Sequence, residues 1–491
     1  MGRTAGLSPV VVVGAGPVGL VAALLLARQG VPVTVLEAAA RREVVGSRSI
    51  CVQRDVLDIL ARAGVGDAIA AAGVTWYTGR IYHRSRQVSE ITFPQAPQGS
   101  YPPFVNISQT DVEDLLEQRV QAEPLIDLRY DHQVTAIAQD AHGVTVHARG
   151  CSFHGTHCVA ADGFHSAVRE LLGLGFEGHS YPDKFLITDI EADLGASVPE
   201  RRFHFDPPGN PGRQVLVHPQ PRSVWRIDWQ VPSDFDLEAD RTGGGLDSRV
   251  RSIIGERPYR PVWLSVYRFH QRLASRMAVG RVLLAGDAAH VMSPFGARGM
   301  NSGIADAENA AWKIACDRRG AGPGLLASYE HERAAAAREN LRITGRTMRF
   351  LVPGTEADRA HRAEVLARCA DDPAAAAQID SGKLAEPFWY LDSPLTTRSG
   401  PVENFPVEPG SRRPVVPGVL CPDAVLPSGK RLRSVLKPSF TVVAATGVPN
   451  FDTVIVPGWS GFTLVRPDGH IAAMVTDPAD LIAAHRTALG W

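Results

Sequence analysis

Short apolar runs alternate with helical patterns in the amino-terminal part of the chain. Val10–Val13 predicts a buried strand, Leu20–Gln29 a helix, and Val31–Leu36 a second strand. Much later, Arg281–Ala285 is another apolar run, followed by a loop and a helix that begins near Asn301. Strands that alternate with helices predict an α/β fold with a parallel sheet.

The middle of the chain has a different period. Apolar and polar residues alternate one by one, which predicts antiparallel strands of a second sheet, at 185–194, 201–207, 212–220, 223–232 and 261–274, with a hairpin at Arg80–Phe93. Helices are expected between residues 300 and 380. Beyond residue 395 a proline-rich linker precedes further strands, with Asp468-Gly469 as a hairpin turn, and a helix from Asp477.

Composition limits the function classes. The 491 residues carry 51 basic and 52 acidic side chains, so no nucleic-acid partner is expected. The six cysteines show no disulfide framework, and no signal peptide or membrane span is recognised, so we expect a soluble, cytoplasmic protein. Two cysteines and two histidines between Cys151 and Cys158 fall on opposite faces of a strand, and no metal site is expected.

A glycine-rich turn follows the first strand directly. Gly14 allows a tight turn, Gly16 lets the backbone approach a pyrophosphate, and Gly19 lets the helix pack closely. Glu37 ends the second strand and can accept hydrogen bonds from ribose hydroxyls. An acid at this position disfavours a 2′-phosphate, so the pattern predicts a site for FAD or NAD.

The apolar run at 281–285 ends in Gly286 and Asp287, at the carboxyl end of a strand, where open α/β sheets hold their ligands. The loop that follows carries Pro294 and Gly299, and its backbone N–H groups can approach a ligand closely. The positive end of the following helix, near Asn301, favours negative charge. These properties suit a ligand with a polyol chain and a ring that becomes anionic, as a reduced flavin does.

A third segment lies between these two. A short strand leads into Asp162-Gly163, and a helix begins near Ser166, with Arg169 on its first turns. In this order and spacing, the three segments resemble the class A flavoprotein monooxygenases, the aromatic hydroxylases with the para-hydroxybenzoate hydroxylase fold. The chain is most similar to the group of 3-(3-hydroxyphenyl)propionate hydroxylase and phenol hydroxylase. The resemblance covers residues 8–395.

The resemblance implies three domains. A Rossmann-like FAD-binding domain would comprise residues 1–80, 94–180 and 276–395, and an inserted antiparallel β-sheet substrate domain would comprise 81–93 and 181–275. The linker and a small thioredoxin-like domain would occupy 396–491. Cys421 has no partner in a C-x-x-C pair, so we expect this domain to serve stability or a dimer contact.

The resemblance also implies roles for cofactor-binding residues. The fingerprint glycines would hold the FAD pyrophosphate and Glu37 the adenosine ribose; Asp162 and Arg169 would lie between the cofactor and the nicotinamide. Asp287, after Gly286, would bind a ribityl hydroxyl and Pro294 would line the ring. The remaining cofactor positions are Arg48, Gln109, Gly299, Met300 and Asn301. For Gln109 there is a simpler interpretation as a polar residue before a helix that Thr110 and Glu113 cap.

Function follows from the same resemblance. It implies a monooxygenase that uses FAD, NADPH or NADH, and O2 to hydroxylate a phenolic or other aromatic substrate through a flavin C4a-hydroperoxide. Candidate catalytic residues are His270 and Tyr267, and the general base stays open among His204, His218, Tyr267 and His270. Candidate substrate residues are His204, His218, Trp225, Arg226 and Trp229. Alternation puts Trp225 and Trp229 on the face opposite Arg226, and sheet aromatics are more often core.

Other functions fit less well. A tailoring monooxygenase that acts on a polycyclic or polyketide aromatic is the closest alternative, and a non-catalytic flavoprotein is a second. A halogenase would need a W-x-W-x-I-P motif, which Ile227–Pro232 matches poorly. It would also need a catalytic lysine, and no lysine occurs before Lys184. A disulfide reductase would need a second cysteine near Cys51. The sequence leaves open whether the protein forms a homodimer.

Overall fold

The computed structural model describes residues 8–42, 49–96, 99–195, 199–398 and 413–491. Arg48, one of the predicted cofactor residues, lies outside these ranges. The strands are β1 Val10–Val13, β2 Val33–Leu36, β3 Cys51–Gln53, β4 Thr78–His83, β5 Arg86–Thr92, β6 Phe104–Asn106, β7 Ile126–Arg129, β8 Val134–Gln139, β9 Val144–Ala148, β10 Cys151–Gly155, β11 Cys158–Ala160, β12 Phe176–Glu191, β13 Glu200–Phe205, β14 Gln214–Pro219, β15 Val224–Val231, β16 Arg260–Ala274, β17 Ala278–Val279, β18 Val282–Leu284, β19 His290–Val291, β20 Thr441–Ala444, β21 Asp452–Ile455, β22 Phe462–Val465 and β23 Ile471–Val475.

The helices are α1 Pro17–Arg28, α2 Arg54–Arg62, α3 Gly66–Ala72, α4 Gln109–Gln121, α5 Ala167–Leu171, α6 Leu237–Thr242, α7 Gly245–Ile254, α8 Gly299–Asp317, α9 Gly324–Leu351, α10 Glu356–Arg368, α11 Pro373–Ala376, α12 Leu432–Val435 and α13 Leu481–Ala488. Within the described ranges, none of these helices combines the length and the apolar character that crossing a bilayer requires.

A six-stranded sheet has the order β17-β18-β11-β1-β2-β7. All of its neighbouring strands run parallel except β17, which is antiparallel to β18. The four valines of β1 are completely or almost completely buried, as expected for a central parallel strand that is covered on both faces. The predicted strand–helix alternation is therefore present, and α1 begins at Pro17, three residues before the predicted start.

The second large sheet has eight strands in the order β19-β16-β12-β15-β14-β13-β4-β5. Every strand predicted in the middle of the chain belongs to it, and so does the predicted hairpin, β4–β5. The prediction that the sheet is antiparallel throughout is wrong at one point, since β4 and β13 pair in parallel. An alternating pattern identifies the buried face of a strand but not its partner, and β4 comes from a distant part of the chain.

Both faces of this sheet are covered. On the outer face, apolar side chains of β14 and β15 pack against Leu246, Val250 and Ile254 of α7. On the inner face, one end packs against α9 and α10 through a cluster that includes Met348 and Leu366. The rest of the inner face lies over a cavity whose other wall includes the loops that follow β1, β11 and β18 of the six-stranded sheet.

A third sheet, of four strands, lies near the carboxyl end of the chain in the order β21-β20-β22-β23, with β20 and β21 parallel and the other pairs antiparallel. A buried ion pair and a buried hydrogen bond join it to α9 and α8: Arg466 lies 2.7 and 2.9 Å from the two carboxylate oxygens of Glu332, and Trp312 Nε1 donates to Asp468 Oδ2 at 3.1 Å. Asp468 belongs to the predicted hairpin turn, and its carboxylate is also a buried structural contact.

Candidate active site

A cavity of about 980 Å³ lies between the two large sheets. One wall consists of the loops after β1 and β18 and the start of α8, and it includes Gly16, Asp287, Pro294, Gly299 and Met300. The opposite wall is the inner face of the eight-stranded sheet. At this size the cavity is at the upper end of the range for small-molecule sites.

The glycine-rich turn forms one end of the cavity. Gly14 has a φ of +98°, and a Cβ atom there would lie 2.4 Å from the carbonyl oxygen of Ala161. A Cβ atom on Gly19 would lie 2.0 Å from the carbonyl oxygen of Gly14. A Cβ atom on Gly16 would meet nothing within 4 Å, because this residue faces the open cavity. The turn therefore leaves room at Gly16 for the close approach of a pyrophosphate.

Glu37 is held against this turn. Its Oε2 accepts a hydrogen bond from the N–H of Ala15 at 2.8 Å, and its Oε1 accepts one from the N–H of Ala39 at 2.9 Å. Each carboxylate oxygen can accept a further hydrogen bond. The position thus fits the role of a ribose acceptor beside a pyrophosphate site.

The loop after β18 brings Asp287 to the cavity. Gly286 has a φ of +61°, and its N–H donates to Asp306 Oδ2 at 3.0 Å. Asp306 also lies 2.7 Å from His290 Nε2 and 2.6 Å from Arg333 Nε. Burial opposes its charge, but Arg333 and His290 outweigh that effect and lower the pKa of Asp306. His290 is therefore a buried structural neighbour of the loop, and Asp287 is exposed toward the cavity.

The start of α8 completes this wall. Gly299 and Met300 line the cavity, with the positive end of a 19-residue helix directed toward it. Asn301 has another contact: its Nδ2 donates to the carbonyl oxygen of Cys51 at 2.8 Å, and its Oδ1 accepts from the N–H of Gln53 at 3.0 Å. Asn301 thus fastens the helix start to β3, and its side chain does not border the cavity.

Asp162 and Arg169 shape the third segment. Asp162 accepts hydrogen bonds from Ser166 Oγ at 2.6 Å and from the N–H of Val168 at 3.0 Å. Arg169 donates to the carbonyl oxygen of Ala288 at 3.0 Å, next to Asp287. Both side chains hold α5 and the Asp287 loop together, while the neighbouring Ala161 and Gly163 border the cavity.

Gln109 borders the cavity at the start of α4. Its Oε1 accepts from the N–H of Ser49 at 3.2 Å, and its Nε2 donates to Glu113 Oε1 at 2.8 Å. The predicted cap by Thr110 and Glu113 is wrong by two residues. The residue that caps the helix is Ser108, whose Oγ accepts from the N–H of Thr110 at 3.3 Å.

The sheet above the cavity separates the predicted substrate residues. His218 and Arg226 are on the inner face and border the cavity. Trp225 and Trp229 are on the outer face, in the core formed with α7, so their prediction as substrate residues is corrected. The reason is the alternation of the strand, which directs residues 225 and 226 to opposite sides.

Three other predicted residues lie outside the described cavity lining. His204 is on the outer face of β13, where its ring stacks 4.7 Å from that of Tyr82 and burial lowers its pKa to about 4. His270 Nδ1 lies 2.8 Å from Ser180 Oγ. Tyr267 pairs with Phe185 in the sheet.

The catalytic roles of His270 and Tyr267 stay predictions. Alternation along β16 places Tyr267 on the same face as Phe269, which borders the cavity. The pairing of β12 with β16 has a register shift between Ser180 and Lys184, next to the Ser180–His270 pair.

Two charged residues on the inner face were missed. Arg201 and Asp228 both border the cavity. Asp228 lies two residues after Arg226, on the same face, so the alternation that separates Arg226 from the tryptophans could have identified it. Burial raises the pKa of Asp228 to about 7, although Arg226 opposes this rise.

Comparisons with known proteins agree with this geometry. Residues 8–344 match the FAD binding domain family, and the chain belongs to this family. The predicted family resemblance is confirmed. The 3-(3-hydroxy-phenyl)propionate/3-hydroxycinnamic acid hydroxylase of Comamonas testosteroni is 30% identical over 345 residues, which are 68% of this chain and 57% of that protein.

A flavin-dependent monooxygenase of Mycobacteroides abscessus is 30% identical over 505 residues, which are 95% of this chain and 96% of that protein. Among solved structures, the flavin-dependent monooxygenase PieE in complex with FAD and substrate superposes with a TM-score of 0.83 at 23% identity, over 99% of both chains. This similarity shows the fold. The chain spans 57% of the length of the Comamonas relative, so substrate and activity are inferred below from the site.

Proposed function

We propose that the protein is an FAD-dependent monooxygenase that uses NADPH or NADH and O2 to hydroxylate an aromatic substrate. The observation that carries the proposal is a cavity with the glycine-rich turn, Asp287 and the start of α8 on one side and a polar sheet face on the other. The family match and the two relatives named as hydroxylase and monooxygenase support it.

The residues present fit FAD. Gly14, Gly16 and Gly19 would hold the pyrophosphate and Glu37 the adenosine ribose, while Asp287 would accept a hydrogen bond from the ribityl chain. The amino end of α8 at Gly299 and Met300 would face the pyrimidine edge of the ring system, with Pro294 along the ring. Arg48 and Gln109 are proposed as further contacts from the family resemblance. When bound, FAD supplies hydride acceptance and oxygen activation.

The chain itself has two tasks in this reaction. The amino end of α8 at Gly299 would stabilise negative charge on the pyrimidine edge of bound FAD, because the first backbone N–H groups of a helix have no partner within the helix. Exclusion of water is provided by apolar side chains that border the cavity, among them Phe185, Phe269 and Phe295, whose rings pack 4.3 to 5.9 Å apart between centroids. The substrate is proposed to lie between this apolar region and the polar sheet face.

A tailoring monooxygenase acting on a polycyclic aromatic is the second candidate. The cavity of about 980 Å³ would hold FAD and the substrate together, so the room beside the cofactor is what separates the two candidates. The two candidates share the cofactor and differ in the size of the substrate.

We also propose the domain division predicted above. Strands of the six-stranded sheet come from residues 10–36, 126–129, 158–160 and 278–284, and the inserted strands of the eight-stranded sheet support a separate substrate domain. The strand order of the carboxy-terminal sheet supports a thioredoxin-like domain. Burial raises the pKa of Cys421 to about 12, which supports a structural role for this domain and not a redox role.

Stopped-flow oxidation of NADPH and NADH by the FAD-loaded protein tests the function. We expect one class of phenols, hydroxyaryl acids or polycyclic hydroxyaromatics to accelerate the oxidation. Absence of acceleration by every class would favour the non-catalytic flavoprotein and contradict the proposal.

A further inference from the structure

Four side chains that border the cavity each have a buried polar atom with no hydrogen-bond partner among the described residues. The atoms are Trp76 Nε1, Asn106 Oδ1, His218 Nδ1 and Asp228 Oδ1. We call these four residues the polar subsite. These four atoms are closed off within the protein itself, but His218 and Asp228 are only half-buried, so the rest of these two side chains is what a ligand in the cavity would meet.

The fold brings these side chains to one region of the sheet. His218 and Asp228 are on the neighbouring antiparallel strands β14 and β15, two positions apart in register, so they are diagonal neighbours on one face. Asn106 lies beside the end of β14, because its Nδ2 donates to the carbonyl oxygen of Pro219 at 2.9 Å. Trp76 packs on Phe104 with ring centroids 4.6 Å apart, which holds its indole in place.

The charges around Asp228 determine what it can bind. Arg226 on the same strand is held by Asp189 of β12 in a bidentate ion pair, at 2.7 and 2.8 Å. His218 of β14 is neutral, since burial, Arg201 and Arg226 lower its pKa well below its usual value. Arg201 of β13 donates to the carbonyl oxygen of Ser381 at 2.8 Å and stays charged, although burial lowers its pKa to about 10. Arg226 is thus already compensated by Asp189, and Asp228 keeps a carboxylate that faces the cavity.

We propose that Asp228 accepts a hydrogen bond from a hydroxyl group of the substrate and excludes aromatic substrates that place a carboxylate at this position. Two carboxylates in one poorly solvated cavity repel each other, whereas a hydroxyl group supplies the donor that Asp228 lacks. The substrate class is therefore a neutral hydroxylated aromatic and not a hydroxyaryl acid. This inference rests on the proposed function.

Two ligands that differ at one group test the proposal. 3-(3-Hydroxyphenyl)propionate and 3-(3-hydroxyphenyl)propan-1-ol share the ring and the chain length, and only the first carries a carboxylate. Their affinities for the FAD-loaded protein are measured by calorimetry at pH 8, for wild type and for Asp228→Asn. Glu191→Gln, an exposed residue on β12 of the same sheet, is the control.

We expect Asp228→Asn to weaken binding of the alcohol by about tenfold, because a charged hydrogen bond is lost, and to strengthen binding of the acid by a similar factor. Glu191→Gln should change neither affinity. A structural role of Asp228 would instead shift both affinities in the same direction. The proposal would be overturned by such a parallel shift, by unchanged affinities for both ligands, or by a wild-type protein that binds neither ligand.

A second comparison needs no variant. Lowering the pH from 8 to 6 adds a proton to Asp228 in wild type, so the acid should bind more tightly at pH 6; an affinity that is equal or weaker there would count against the proposal. NADPH oxidation is followed in the same samples. If the affinities change as expected and no ligand or other aromatic accelerates oxidation, the proposed function fails while the ligand preference stands.

Discussion

Arg226 and Asp189 form a bidentate ion pair inside the sheet above the cavity, with Nε 2.7 Å from Oδ1 and a terminal guanidinium nitrogen 2.8 Å from Oδ2. Both side chains are almost completely buried. Removal of Asp189 takes away the carboxylate that accepts two hydrogen bonds from this buried guanidinium group.

Asp189→Ala is therefore expected to reduce the free energy of unfolding by about 3–5 kcal/mol. Urea denaturation at pH 7 measures this change. Glu191→Ala, on the same strand but exposed, is the matched control and should change stability by less than about 1 kcal/mol. A loss for Asp189→Ala as small as that of the control would show that Arg226 finds another partner.

Gly14 and Gly16 should respond differently to the same substitution. Gly14→Ala places a Cβ 2.4 Å from a backbone oxygen at a φ of +98°, so it should destabilise the fold itself. Gly16→Ala meets no atom of the protein, so the apoprotein should keep its melting temperature and lose FAD affinity. Thermal denaturation of both apoproteins, followed by FAD titration, separates the two effects. Equal melting temperatures for the two variants would contradict this account of the turn.

Asp287→Ala is expected to weaken FAD binding by about 1.5–3 kcal/mol, the contribution of a hydrogen bond to a charged group. Equilibrium dialysis against FAD measures the loss. Asp127→Ala, an exposed residue at the edge of the six-stranded sheet, provides the comparison and should retain FAD as wild type does. Recovery of the Asp287 variant with a full complement of cofactor would remove Asp287 from the proposed site.

The pH dependence of stability should reveal Asp228. Its folded-state pKa is raised to about 7, above the unfolded value, so the folded protein binds a proton more tightly and loses stability as the pH rises from 4 to 7. Asp228→Asn removes this loss, and the variant should be more stable than wild type at pH 8 by at least about 1 kcal/mol. Urea denaturation of both proteins at pH 5 and pH 8 measures this difference in the free energy of unfolding. Equal stability of the two proteins at pH 8 would contradict the burial of this charge.

Local patterns predicted most of the cofactor wall. The valine run, the glycine spacing and the acid after β2 identified the nucleotide end, because each of these features is fixed by backbone geometry within one βαβ unit. Alternation also separated Arg226 from Trp225 correctly, since a strand directs successive side chains to opposite faces.

The residues on the sheet side of the cavity are less predictable from the sequence. Residue type alone predicts His270 and Tyr267, and the register shift between Ser180 and Lys184, beside the partner of His270, is not visible in the local sequence. Asp162 and Asn301 were expected at the ligand, and the structure shows them bonded to neighbouring backbone. The contact of Asn301 with Cys51 joins segments that are 250 residues apart in the chain, so it depends on the whole fold.

The origin of the oxygen atom in the product tests the central claim most directly. The FAD-loaded protein is given NADPH or NADH, isotopically labelled dioxygen and the aromatic that most accelerates nicotinamide oxidation, and the product is analysed by mass spectrometry. The account predicts a hydroxylated product that contains one labelled oxygen atom. An unlabelled product, or an aromatic recovered unchanged while nicotinamide is consumed, would contradict it.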